Sequence, residues 1–110
     1  MKGFFSRLFS GAAVEPAANS LADLYSRHVT VAQSSNARLA KRAFDMVLAK
    51  ATGEKRSNRW GGATIARIAN AFGWKLVDRG YPKDFALETA KELAMQLMQK
   101  AGKAAASTSK

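Results

Sequence analysis

The stretch "ATIARIANAFGWKLVDRGYP", residues 63–82, decides the fold. Ile65, Ile68, Ala69, Phe72 and Leu76 recur at the three- and four-residue spacing that places side chains on one face of an α-helix. No glycine or proline other than Gly73 falls between Ala63 and Arg79, and Gly80 then supplies a stop. Read as continuous, the segment is a helix over 63–79 with one apolar stripe, and a stripe of that width must be buried against other helices.

The same periodicity appears on both sides. Pro82 suits the first turn of a following helix, with Asp84 and Glu88 near its positive dipole end. That helix runs to about Lys100, buries Leu87, Ala90, Leu93, Ala94, Leu97, Met98 and Ala101, and stops at Gly102. Upstream, Leu39, Ala43, Phe44, Val47, Leu48 and Ala51 share a side over Ala37–Thr52, with Gly53 as the expected C-cap. "QSSN", residues 33–36, marks a break before it, because Ser and Asn compete for helix hydrogen bonds. A further helix starts after Asn19 or Ser20, and its face is Leu21, Leu24, Tyr25, His28, Val29 and Ala32. No strand pattern and no internal repeat occur. The expected fold class is all-α: a small bundle of about four helices, with a short amphipathic N-terminal segment and a mobile C-terminal tail.

The chain of 110 residues allows one domain. Residues 1–16 read as an amphipathic segment and linker, 17–102 as the helical domain and 103–110 as a flexible tail. In the first of these, Phe4, Phe5, Leu8 and Phe9 form an apolar face, with Lys2, Ser6, Arg7 and Ser10 opposite. That face suits packing onto the protein's own helices, docking on a protein partner, or lying on an anionic membrane surface. "GAAVEPAAN", residues 11–19, reads as linker because of Gly11 and Pro16.

Catalytic chemistry finds no foothold. Cysteine is absent, which excludes disulfides and thiolate metal sites and fits a cytoplasmic, reducing setting. His28 is the single histidine, so no second one can join it in a metal site or a relay. Asp78, Asp84 and Glu88 each have a structural role near a helix end. No phosphate-cradling glycine loop of the Gly-Lys-Ser/Thr type is present. The chain reads as a non-enzyme with no cofactor and no metal.

Charge is the informative feature. The net charge is +10, which points to polyanionic partners. Between Arg38 and Arg79 there are ten Lys/Arg against three Asp/Glu, a net of +7, whereas Lys83–Lys100 carries three of each and is neutral. Concentration on contiguous elements is what phosphate binding needs. The expected function is therefore a small basic accessory protein that binds DNA or RNA mainly through phosphates. Arg38, Lys41, Arg42, Lys55, Arg56, Arg59 and Arg67 are the candidate contacts. "GEKRSNRWGG", residues 53–62, reads as a loop within that surface, and its Trp60 has two roles open to it: a base-stacking surface or a plug in the core. Trp74 falls on the outer face of its helix near Arg67, unless it covers a neighbouring helix or a dimer contact. Association through the Phe-rich tip, or of the chain with itself through the last helix, is the alternative.

The segment "TIARIANAFGWKL", residues 64–76, also resembles the first helix and turn of a DNA-binding helix-turn-helix. Ile65 and Ile68 stand at core positions, Ala69 where helices approach closely, and Gly73 at the turn. That resemblance spans about a dozen residues and implies a regulator with a recognition helix after Gly73, a place that Gly80 and Pro82 interrupt.

Overall fold

Residues 63–82 form one helix and a turn, and Gly73 lies inside the helix. The computed structural model describes the backbone over residues 12–109 and side chains over 14–99. Within it are four helices: α1 (Ala12–His28), α2 (Ala37–Asn58), α3 (Gly62–Asp78) and α4 (Lys83–Ser109). A short 3-10 turn, Val31–Gln33, joins α1 to α2, and no strand occurs among the described residues. The protein is an all-α bundle. Helices α2 and α3 each pack against both α1 and α4, and so lie across the bundle from one another.

Local chemistry explains several ends. Thr30 and Gln33 form a reciprocal capping box around the 3-10 turn, and Asn36 caps α2 by accepting from the Leu39 N–H at 3.1 Å. Helix α3 ends as the sequence implies. Gly80, at φ 106°, lets its N–H reach the Val77 carbonyl and lets the Tyr81 N–H reach that of Leu76. This pairing of bonds is a Schellman motif. The Pro82 carbonyl accepts the Ala86 N–H, so Pro82 stands at the boundary of α4.

Four boundaries depart from the sequence reading. Helix α1 stops at His28, and Ala32, expected on its buried face, is exposed in the capped 3-10 turn. Helix α1 begins at Ala12, not after Asn19, so residues 12–16 are helix and not linker. Pro16 is exposed and removes only the bond to the carbonyl at the very start of the helix. Burial of Ala17 and Ala18, and a 2.8 Å ion pair from Glu15 to Lys75 of α3, favour the added turns. Helix α2 does not stop at Gly53; it continues to Asn58, which makes residues 53–58 helix and not loop. The Lys50–Glu54 pair at 3.0 Å spans that glycine. Helix α4 passes through Gly102, which is followed by the helix formers Lys103, Ala104, Ala105 and Ala106. The expected tail from 103 is thus helical to Ser109. The Phe-rich face of Phe4, Phe5, Leu8 and Phe9 lies outside the described residues.

The core joins all four helices. Leu21, Tyr25, Val47, Ile68, Phe72, Leu76, Leu93 and Leu97 are fully or almost fully buried. Tyr25 meets Phe72 and Tyr81 edge-on, with ring centroids 6.0 and 5.7 Å away, and Phe85 at 6.4 Å completes the group. The Tyr81 hydroxyl donates to the Val29 carbonyl and ties the α3–α4 turn to the end of α1. Burial pushes the Tyr25 phenol up to about 12, so it stays neutral and serves packing.

Candidate nucleic-acid interface

Helix α2 turns Ala43, Val47 and Ala51 inward. Its opposite side therefore faces solvent, and Arg38, Arg42 and Arg56 stand there. Arg38 and Arg56 are about five helical turns apart, or roughly 27 Å, and share one angular position. Ala49 and Gly53 lie between Arg42 and Arg56 on this side and add little bulk. Arg38, Arg42, Met46 and Ala49 line a shallow trough together with Lys41 and Asp45. Asp45 is the one acid of that face, and it accepts from Lys41 at 3.1 Å. None of the three arginines is in an ion pair among the described residues. The Lys41 pair is well exposed, and such a pair holds together by only about 0.3–0.5 kcal/mol.

Other candidates fall away from this face. Lys55, half-buried, donates to the Leu97 carbonyl of α4 at 2.7 Å, which draws its ammonium toward α4 and away from the arginine row. Arg67 is exposed on the side of α3 away from Ile65 and Phe72, and hence on the far side of the bundle from the α2 arginines. Trp60 is 8% exposed and belongs to the core. Its ring has no free face for a base, so the plug is the role it takes and the stacking assignment is withdrawn. No family model, curated protein or solved structure matches the chain.

Arg59 explains how Trp60 reaches the core. It adopts a left-handed conformation, φ 55° and ψ 50°, and is the one non-glycine residue with positive φ among those described. That turn brings the Trp60 N–H back to the Lys55 carbonyl at 3.1 Å and directs the ring inward. A side chain held there costs about 1 kcal/mol relative to glycine. Arg59→Gly is therefore expected to raise stability by roughly 0.5–1 kcal/mol in urea unfolding while removing one exposed cation. A loss of stability would mean that the arginine side chain makes a compensating contact.

The helix-turn-helix resemblance is overturned on geometry. Helix α3 is unbroken through Gly73, and that glycine serves contact with α4 in place of a turn. A β-carbon at Gly73 would lie 2.7 Å from Ala90 Cβ. The continuous helix also sends Trp74 outward: it is 41% exposed, and the cation over its ring is Lys83, at 5.6 Å from the centroid, and not Arg67. Of the two placements the sequence allows, the outer face is the one observed, with a different cation beside the ring. Among the described residues no helix is long and apolar enough to cross a membrane, and no three His, Asp or Glu side chains are grouped to hold a metal ion.

Proposed function

We propose that this chain is a small non-enzymatic protein that binds nucleic acid through phosphate contacts made by the outer face of α2. The observation that carries the reading is the row Arg38, Arg42 and Arg56 on one solvent-facing side of a 22-residue helix, with the only acid there already satisfied by Lys41. Guanidinium groups bind phosphate in a bidentate manner, and each contact releases condensed counterions. The net charge of +10 supplies long-range attraction to the same partner. The face holds no aromatic residue and no array of Asn or Gln to read base edges, so the binding is expected to be largely indifferent to sequence. The lack of cysteine fits a cytoplasmic setting.

The test is the pair Arg42→Ala with Arg56→Ala, titrated against a labelled random duplex over a salt series. Affinity is expected to fall roughly tenfold or more at moderate salt, and the slope of log K against log salt to flatten by about two, one unit for each lost contact. An unchanged slope would move the phosphates off α2. Both substitutions are at exposed sites, so unfolding curves of the variant should overlay those of the parent within about 0.5 kcal/mol.

A further inference from the structure

We infer that the trough between α3 and α4 beside Trp74 is a stacking site for single-stranded nucleic acid. The inference rests on the proposed nucleic-acid function and adds a second surface, away from the α2 arginines, with a different preference.

The trough is built from about two turns of each helix, residues 66–74 of α3 and 87–94 of α4. Trp74 and Leu87 line it with the small side chains of Ala66, Ala69, Ala90 and Ala94, and Asn70 and Lys91 are its polar members. The close approach at Gly73 and Ala90 sets the two helices near enough for the alanines to form a continuous apolar bed. Small apolar side chains beside an exposed indole leave room for a planar ring against it. Lys83 covers one part of the indole, and a large area of the ring remains in water. An exposed indole stacks on a base regardless of its identity, because every base has a π-face. Asn70 sits one turn before Trp74 and offers both a donor and an acceptor to a base edge.

Charge selects the partner. No acidic side chain lines the trough. Lys91 is at its edge and Arg67 is two turns before Trp74 on the same side of α3, neither in an ion pair among the described residues. With Lys83 they make three cations against two acids near the ends of the trough, Asp78 one turn after Trp74 and Asp84 two turns before Lys91. The small excess of cations favours an occupant that joins a flat apolar group to negative charge. A strand of unpaired nucleotides has both at a regular repeat. A duplex hides its base faces in its own stack and cannot use the indole. The α2 face, which has arginines and no ring, makes the opposite choice.

The test uses the full chain, with Trp74→Ala and Trp74→Phe, against labelled short oligothymidylate, a random duplex, and vesicles containing an anionic phospholipid. In the parent, oligothymidylate is expected to quench the long-wavelength part of the tryptophan emission, which belongs to the exposed Trp74; the emission of buried Trp60 should be left unchanged. Trp74→Ala is expected to weaken oligothymidylate binding about tenfold and to leave duplex binding unaltered, with Trp74→Phe in between. Duplex binding that depends on Arg42 and Arg56, together with oligothymidylate affinity indifferent to Trp74, would overturn this inference and leave the α2 reading in place. Binding of vesicles that is lost in Trp74→Ala, with no quenching by oligothymidylate, would overturn it in favour of a lipid surface. If the parent binds no nucleic acid at low salt, both readings fall.

Discussion

Trp60→Ala is expected to destabilise the domain by about 3–5 kcal/mol, read as a shift of the urea midpoint followed by helical circular dichroism. Domains of this size have a total stability of about 5–15 kcal/mol, so this one truncation removes a large part of it. The chain direction at Arg59 is the cause. The left-handed residue folds the backbone over the end of α2, Gly61 is extended, and α3 starts at Gly62. The indole is left pointing into the bundle with 8% of its surface exposed. Replacing it leaves a void at the α2–α3 connection, where the backbone is held by the Trp60 N–H bond to the Lys55 carbonyl and has little freedom to collapse. A base-stacking role for Trp60 predicts the reverse: stability within about 0.5 kcal/mol of the parent and a loss confined to binding. That outcome would put the ring outside.

The helices of this chain are legible because their stripes are periodic. Ile65, Ile68, Phe72 and Leu76 need no knowledge of a partner to be recognised as one face, and Asn36 and Gly80 announce ends through their own local chemistry. The overrun stops share a cause. Gly53 and Gly102 are stops of only about 1 kcal/mol each, Pro16 falls in the first turns of α1 where it forfeits a single bond, and contacts distant in sequence outweigh them. Glu15 finds Lys75 sixty residues away, and Ala17 and Ala18 find the core. The candidate interface divides in the same way. That the arginines of α2 face solvent follows from its wheel alone. That Lys55 reaches the Leu97 carbonyl and that Trp60 turns inward depend on how the chain folds back on itself, and no local pattern encodes either. Trp74 is the converse. Its outward position was readable from an unbroken helix, but the trough beside it needs α4 and the Gly73–Ala90 approach.

Gly73→Val is expected to be among the most damaging substitutions in the chain, lowering stability by several kcal/mol, with Gly73→Ala costing about 1–3 kcal/mol. The sign of the alanine change is informative because two effects oppose. Glycine inside a helix is worse than alanine by about 1 kcal/mol, so at an exposed site the change would stabilise. Here the new methyl carbon would sit 2.7 Å from Ala90 Cβ, 3.4 Å from Leu87 Cδ2 and 3.5 Å from the Ala86 carbonyl oxygen. Carbon atoms prefer about 3.5–4.0 Å. Ala90 Cβ is fixed directly to its backbone and cannot rotate away, so the strain is relieved only by moving α3 and α4 apart. That separation disturbs Phe72 and Leu76 on one side and widens the Trp74 trough on the other. Ala90→Gly removes the opposing methyl group, and the double variant Gly73→Ala with Ala90→Gly is expected to recover most of the loss, a coupling of about 0.5–3 kcal/mol in a double-mutant cycle. A glycine needed for a turn would behave differently: its strain would be local to the backbone, and shaving Ala90 would rescue nothing. Additive single effects in that cycle would reject the close helix contact as the reason for this glycine.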